Sequence, residues 1–437
     1  MSNIDHLIWG VTTAAAQTEG AFNTDGRGPS IWDTFTNKSK SIKDKSNNQI
    51  ATNFYERYKE DIDLSVEIGL KIFRFSISWS RVLPNGSGAI NEKGIAFYDK
   101  VIDYCIEVGI EPWITTYHWD LPQKLQDKGG WKNRDIITDY ENYIKVLKLY
   151  FVDRVKNWIL INEAIVCIGA GYFLGIHAPG KRGIKSFSAS IHHILLAQAK
   201  GYRVLKGQKD IKVGTAISCT KIESHSNRKK DLSAASRIDA LMNRLCIEPY
   251  LGLGYPEKEL PLVKRIKRFV QQGDMEEMKV DFDFWGIQTY AREVVKSAWY
   301  IPYLGSISIK PSKRKVPVSV MGWETYPEGA QYFLERFSMY DSEKPLWLTE
   351  CGMALSKKED DTKRIEYYMH IIEGMKKVSD LGINLKGILL WTLVDNFEWA
   401  EGYIPKFGII GMDKITLNRK MKKTAFWLKD YLSNRSG

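Results

Sequence analysis

The chain has 437 residues, of which 44% are hydrophobic and 26% are charged, as is typical of a globular protein that buries an extensive core. Its apolar runs fall short of the roughly 18 residues that a membrane span needs. Its N-terminus also lacks a basic stretch followed by an apolar one, so we expect neither membrane association nor export.

The net charge of +11 raises the question of a polyanionic partner. Both halves of the chain share the excess of lysine and arginine, and no aromatic residues interleave with the local basic clusters as a base-stacking platform requires. We therefore interpret the charge as a solvated surface and expect no nucleic-acid partner. The cysteines are scattered without metal-ligand spacing, which predicts reduced thiols and a cytoplasmic location.

Eight short apolar runs with strand character occur along the chain, at residues 7–13, 72–78, 111–117, 157–162, 212–218, 282–290, 345–349 and 386–393. Helical patterns lie between several of them, for example at 54–68, 94–108 and 362–378. Alternating strands and helices indicate parallel strands joined by crossovers. Eight such units predict an α/β fold, a (β/α)8 TIM barrel forming one domain over residues 1–437. A doubly wound open sheet is the competing fold, although no GxGxxG motif follows the first run.

Polar residues gather at or just beyond the ends of these runs. In a barrel the carboxyl ends of the strands surround the active site, so we expect these side chains to lie together. They are Gln17, Glu19, His118, Asn162, Glu163, Gln288, Tyr290, Glu350 and Glu398.

Two glutamates close apolar runs in the same manner, Glu163 after residues 158–162 and Glu350 after residues 346–349. A pair of carboxyl groups at the ends of buried strands is what the cleavage of a glycosidic bond requires. Burial would raise the pKa of Glu163 and suit it to be a general acid. The alternative is a glutamate that stabilises the first turn of the following helix. With Glu163 as the general acid, Glu350 would be the nucleophile.

Arg74 is a cation in an otherwise apolar run, where burial without a carboxylate partner would be costly. It either pairs with Glu350 and keeps that group ionised, or forms a structural ion pair elsewhere. Among the 14 tryptophans, Trp391 and Trp399 flank residues 395–398 and are predicted to contact a ligand.

At these residues the chain resembles glycoside hydrolase family 1, the β-glucosidase family. The resemblance implies a single (β/α)8 barrel that cleaves β-linked sugars with retention of configuration and uses no metal or cofactor. It is carried by WGVTTAAAQTEGAF at 9–22, FRFSISWSRVLPNG at 73–86, TTYHWDLPQKL at 115–125, INEA at 161–164, GIHAPG at 175–180, TECG at 349–352 and LLWTLVDNFEWAEGY at 389–403.

Position by position, the resemblance implies that Glu163 is the acid/base and Glu350 the nucleophile. It implies that Arg74 and Tyr290 contact the nucleophile and that Trp391 is the platform under the sugar ring. The residues implied to hold the sugar are Gln17, His118, Asn162, Glu398 and Trp399, with Gln288 where asparagine is usual.

Three departures from the family pattern affect the expected rate and substrate preference. Ala164 replaces a proline, Cys351 replaces an asparagine, and Gln288 brings a longer amide arm into the sugar site. No catalytic carboxylate is lost, so we predict hydrolysis of small β-glycosides or oligosaccharides. Glu398 would repel a phosphate and favour a neutral sugar, with glucose, galactose and fucose all left open. The alternative is a carbohydrate-binding protein of the same fold with little or no turnover.

Overall fold

The computed structural model describes residues 4–38 and 40–435. Residues 1–3, 39, 436 and 437 of the predicted domain 1–437 lie outside the described residues. The strands are β1 Ile8–Thr12, β2 Ile72–Ser76, β3 Glu111–Tyr117, β4 Asn157–Asn162, β5 Lys212–Ser224, β6 Phe284–Ser297, β7 Ser306–Ser308, β8 Leu346–Cys351, β9 Leu385–Trp391, β10 Ile410–Met412 and β11 Arg419–Met421.

Eight of these strands, β1 to β6 with β8 and β9, pair in parallel around a closed ring. The pairing of β5 with β6 closes the barrel and rules out the open doubly wound sheet. Each of the eight predicted runs overlaps one barrel strand, which confirms the (β/α)8 prediction. β5 and β6 extend well past their predicted ends and pair with each other beyond the barrel rim.

Helices follow the barrel strands and cover the outside of the ring. The predicted helices at 54–68, 94–108 and 362–378 correspond to the observed helices Phe54–Ile68, Glu92–Glu107 and Thr362–Asp380. The α-helices are α1 Ala15–Thr18, α2 Ile31–Thr36, α3 Phe54–Ile68, α4 Trp79–Val82, α5 Glu92–Glu107, α6 Gln123–Asp127, α7 Ile136–Phe151, α8 Ala164–Ile168, α9 Ile184–Leu205, α10 Lys229–Asp239, α11 Val263–Ile266, α12 Asp274–Met278, α13 Pro311–Arg314, α14 Glu328–Ser338, α15 Thr362–Asp380 and α16 Lys423–Ser433.

Apolar side chains from seven barrel strands fill the floor of the barrel. This floor cluster consists of Ile72, Trp113, Ile159, Ala216, Phe284, Trp347 and Leu389. Gly10 on β1 takes the remaining place, because a Cβ there would lie 2.6 Å from Ile72 Cβ and from Leu389 Cδ2. The filled floor leaves the carboxyl ends of the strands as the open end of the barrel.

At the open end of the barrel, irregular strand pairing changes the direction in which two side chains point. Strict alternation from Ile159 and from Trp347, which point inward, would turn Asn162 and Glu350 outward. The register shifts between Ile159 and Asn162 on β4, and between Leu348 and Cys351 on β8. Asn162 and Glu350 consequently face the interior.

Gly352 follows β8 and is needed for close packing, since a methyl group at this position would overlap the backbone oxygen of Trp391. We expect Gly352→Ala to lower the free energy of unfolding by about 1–3 kcal/mol, as overpacking typically does. Urea unfolding of the variant would measure the loss. Gly169→Ala is the matched control, because a methyl group there meets nothing within 4 Å, and equal stability of the two variants would contradict the prediction.

All five cysteines are free and buried, in agreement with the predicted thiols. In the described part of the chain, no helix combines the length and the apolar character that crossing a membrane requires.

Candidate active site

A cavity of about 580 Å³ opens at the carboxyl ends of the barrel strands. Three glutamates, Glu163, Glu350 and Glu398, contribute to its lining and are each less than 8% exposed. The structure therefore brings together the two glutamates that the sequence analysis paired, with a third carboxyl group beside them. Such a cavity with convergent polar groups is where substrate binding is expected.

Glu163 lies between β4 and α8, with a backbone φ of +46°, in the left-handed region that few side chains adopt. It precedes the helix, so its carboxyl group lines the cavity instead of serving the first helical turn. Burial and the nearby negative charge of Glu350 raise the pKa of Glu163 to about 8, while a hydrogen bond with Ser218 opposes the shift. A carboxyl group with this pKa keeps its proton at neutral pH.

Glu350 receives hydrogen bonds on both carboxylate oxygens. Arg74 Nη1 donates to Oε1 at 2.8 Å, and the hydroxyl of Tyr290 donates to Oε2 at 2.8 Å. Burial raises the pKa of Glu350, and the charge of Arg74 and the Tyr290 hydrogen bond work against that rise. Because both bonds favour the ionised form, Glu350 is the better placed of the two glutamates to act as an anion.

Arg74 is fully buried and connects three strands. Besides Glu350 it donates from Nη2 to Asn162 Oδ1 at 2.6 Å and from Nε to Thr115 Oγ1 at 2.8 Å. The predicted pairing with Glu350 is present, and the alternative of an ion pair elsewhere in the barrel does not hold.

Asn162 orients the two neighbouring polar side chains. Its Oδ1 accepts from Arg74 and, at 2.8 Å, from Gln288 Nε2, so its Nδ2 donates to His118 Nε2 at 3.0 Å. His118 must then carry its proton on Nδ1. His118 Nδ1 and Gln288 Oε1 are buried and have no hydrogen-bond partner among the described residues, so both remain available to hydroxyl groups of a ligand.

Gln17 and Glu398 form a second hydrogen-bonded pair. Gln17 Nε2 donates to the Phe397 carbonyl at 2.8 Å and to Glu398 Oε2 at 3.4 Å. Its Oε1 is buried and unpaired within the part of the chain that the structure describes. Burial and the charge of Glu350 raise the pKa of Glu398 to about 8.

Aromatic rings surround the same space. Trp391 and Trp399 line the cavity, and each lies 5.9 Å from the His118 ring, centroid to centroid. Trp119 packs on Trp399 at 4.7 Å and donates from its indole nitrogen to the Asn162 carbonyl at 2.8 Å. These contacts fix rings that are suited to pack on the apolar face of a sugar.

The structure places three of the residues considered above away from the cavity. Glu19 pairs with Arg81 at 2.9 Å, so its position after the first strand reflects a structural ion pair and not the active site. Cys351 points into the core outside the barrel, where burial raises the pKa of its thiol. Ala164 is buried at the start of α8.

The cavity residues missed from sequence include Ser218 and His177. Ser218, which hydrogen bonds Glu163, ends the predicted run at 212–218, and that terminal position was the available signal. His177, within the motif at 175–180, packs against Trp119 at 5.8 Å and also lines the cavity. A lone histidine in a loop has no sequence pattern that would predict a position in the cavity lining.

Known proteins resemble this chain over nearly its whole length. The profile of glycosyl hydrolase family 1 matches residues 3–436. A 1,4-beta-D-glucan glucohydrolase from Thermotoga neapolitana is 38% identical over 98% of this chain and 97% of its own length. Beta-glucosidase A from Acetivibrio thermocellus is 39% identical over 98% and 97% of the two chains. The solved structure of a family 1 β-glucosidase from Thermotoga maritima superposes with a TM-score of 0.93 and 36% identity, covering 99% of this chain and 98% of that one. The chain is therefore a glycoside hydrolase and belongs to glycosyl hydrolase family 1.

Proposed function

We propose that the protein is a retaining β-glucosidase. The observation that carries this proposal is the pair of buried glutamates in one cavity, one with a pKa of about 8 and the other held by a cation and a phenol. Different environments for two carboxyl groups divide the acid role from the nucleophile role. Relatives named as β-glucosidases support glucose as the sugar.

In the first step, Glu350 attacks the anomeric carbon and Glu163 donates its proton to the leaving oxygen. The bond from the anomeric carbon to that oxygen breaks as a covalent bond to Glu350 forms. In the second step, Glu163, now a carboxylate, removes a proton from water, and the water oxygen displaces Glu350. Two displacements at one carbon give net retention.

The remaining predicted residues are proposed to hold the sugar. Unpaired atoms of Gln17, His118 and Gln288 bind its hydroxyl groups, and their burial makes a missing hydroxyl costly. Glu398 and Trp399 close the same subsite, Asn162 orients its neighbours, and Trp391 packs under the ring. Arg74 and Tyr290 position the nucleophile.

A neutral sugar remains the proposed substrate, but the reason is not the predicted repulsion between Glu398 and a phosphate group. With a pKa of about 8, Glu398 is largely protonated at pH 7 and repels a phosphate weakly. The described residues that line the cavity include no lysine or arginine to bind a phosphate. A 6-phosphorylated sugar would thus bring a dianion into a buried site without a partner.

The whole chain, 1–437, is proposed to act as one catalytic domain in the cytoplasm, without a cofactor or a nucleic-acid partner. Buried free thiols support the reducing location. The sugar-binding alternative without turnover is not favoured, because both carboxyl groups reach the cavity despite the three sequence departures.

Hydrolysis of 4-nitrophenyl β-glucoside tests the proposal, with the anomeric configuration of the first product followed by proton NMR. We expect β-glucose to form first. Formation of α-glucose would overturn the retaining mechanism, and tight sugar binding without turnover would restore the alternative. The matching β-galactoside and β-fucoside would measure the preference at C4 and C6.

The pH dependence of kcat/KM follows from the two pKa shifts. We expect activity to rise as Glu350 ionises, above the ordinary glutamate range, and to fall above pH 8 as Glu163 loses its proton. A pH series on 4-nitrophenyl β-glucoside measures both limbs. Glu163→Gln, assayed with 2,4-dinitrophenyl β-glucoside, should lose the basic limb. An activity plateau that continues to about pH 10 in the unmodified enzyme would contradict the assignment.

A further inference from the structure

The loop that follows β9 carries two residues of the proposed sugar site. This sugar loop comprises residues 392–409 and places Glu398 and Trp399 in the lining of the cavity, together with Phe407. Backbone hydrogen bonds of 2.8 to 3.0 Å join its start to its end and to the beginning of β10. The position of Glu398 therefore depends on how the two ends of the loop are held together.

A carboxylate and an ammonium group connect the two ends of the sugar loop. Asp395 is buried and lies three residues before Glu398. Its Oδ1 accepts from the backbone nitrogen of Gly408 at 3.0 Å and from Lys422 Nζ at 2.8 Å. Lys422 Nζ also donates to the Gly408 carbonyl at 2.8 Å. Gly408 permits this close approach, because a Cβ there would lie 2.2 Å from the backbone nitrogen of Asp395.

Lys422 reaches the sugar loop from outside the eight barrel strands. It lies between β11 and α16, 27 residues after Asp395, and β11 pairs with β10. The ion pair is largely buried, with side chains 20% and 6% exposed. Burial lowers the pKa of Lys422, and the charge of Asp395 counteracts that shift. Such a pair adds little to stability compared with an apolar replacement and is better suited to fix one arrangement of the chain.

Gln17 holds the same part of the loop from another direction. Its Nε2 donates to Asn396 Oδ1 at 3.2 Å, and its carbonyl accepts from the Phe397 nitrogen at 3.4 Å. The residues before Glu398 are thus attached both to Gln17 and to the pair of Asp395 and Lys422. Loss of the pair would leave the Gln17 contacts in place, so we expect Glu398 to shift while the barrel remains folded.

We infer that Asp395 and Lys422 are positioning residues that hold Glu398 against the sugar. The inference rests on the proposed function, in which Glu398 binds the sugar. Neither residue lines the cavity, so both act through the sugar loop and not through contact with the substrate. A displacement of about 1 Å at a substrate contact can reduce the rate by as much as about 10²-fold.

A double-mutant cycle of Lys422→Met and Glu398→Ala tests the inference on the full enzyme, with kcat/KM for 4-nitrophenyl β-glucoside as the readout. Lys422→Met alone should lower kcat/KM about 10- to 100-fold. In the Glu398→Ala background the same change should cost less than about threefold, because the contact that it positions is already absent. A purely structural role would give the same factor in both backgrounds.

Equal factors in the two backgrounds, or no loss in Lys422→Met, would overturn the inference and leave the proposed function intact. An unchanged kcat/KM in Glu398→Ala would overturn both the inference and the proposed sugar contact of Glu398. Absence of hydrolysis by the unmodified enzyme would overturn the proposed function and the inference with it.

Two further variants control for general damage. Lys423→Met is the matched control, because this neighbouring lysine forms an exposed ion pair with Asp360 at 3.0 Å, and kcat/KM should stay within about twofold. Lys422→Met leaves the charge of Asp395 without its cation, and a loss of folding would imitate a loss of activity. Lys422→Met combined with Asp395→Asn removes both charges and repeats the cycle without an unpaired ion. Equal losses in Lys423→Met and Lys422→Met, or additive losses in the neutral pair, would contradict the inference.

Discussion

Glu350→Gln is expected to reduce kcat on 4-nitrophenyl β-glucoside by at least about 10⁴-fold, comparable to the loss of other enzymatic nucleophiles. The substitution keeps the volume of the side chain and an oxygen that accepts from Arg74. It removes the negative charge that must form the covalent bond. Steady-state kinetics measures the loss, and Glu67→Gln is the control, because that glutamate forms an exposed ion pair with Lys429.

Loss of a buried anion also leaves Arg74 with less compensation, so lower stability could imitate lower activity. Glu350→Gly with added azide separates the two explanations. Azide that enters the vacated space attacks from the Glu350 side and should give an α-glucosyl azide, with a single inversion. A folded Glu350→Gln protein that retains more than about one tenth of the activity would end the assignment of Glu350 as nucleophile.

The charge balance explains why the two glutamates differ. Glu350 has a cation and a phenol on its two oxygens, whereas Glu163 and Glu398 have mainly neutral neighbours and the negative charge of Glu350. Only one of three close buried carboxyl groups is stabilised as an anion by a direct ion pair among the described residues. A single guanidinium thus favours the anionic form of Glu350, the proposed nucleophile, and leaves its neighbour protonated.

The strand positions were predictable because each barrel strand is a short apolar run, and the two glutamates were predictable because each ends such a run. The inward orientation of Asn162 and Glu350 was not, since it depends on register shifts that only the neighbouring strands reveal. The family resemblance predicted Asn162 and Glu350 as active-site residues, whereas strict alternation of side chains would have placed them on the outside of the barrel.

Other residues that line the cavity could not be predicted from sequence. Leu241 lies on a π-helix, Phe173 on another, and Leu262 in a loop before α11. These residues are far apart in sequence and share no period, so only the fold reveals that they line the same cavity. The long extensions of β5 and β6, which contribute residues to the cavity lining, also lay beyond the predicted strand ends.

The effect of Glu163→Ala is expected to depend on the leaving group. For methyl or hexyl β-glucoside the oxygen must be protonated as the bond breaks, so kcat/KM should fall about 10²- to 10⁴-fold. For 2,4-dinitrophenyl β-glucoside the departing phenolate needs no proton, and the first step should remain fast. Its second step should be slow, because the base that activates water is missing, and a burst of dinitrophenolate should precede a slow steady state.

Azide distinguishes this variant from the Glu350 variants. Glu350 is still present in Glu163→Ala, so the glucosyl-enzyme forms, and azide attacks from the side that Glu163 has vacated. The product should be a β-glucosyl azide, because two displacements restore the configuration. The α and β azides from the two variants would place the two carboxyl groups on opposite faces of the sugar. Equal losses on activated and unactivated glucosides, with no burst, would show that Glu163 is not the proton donor.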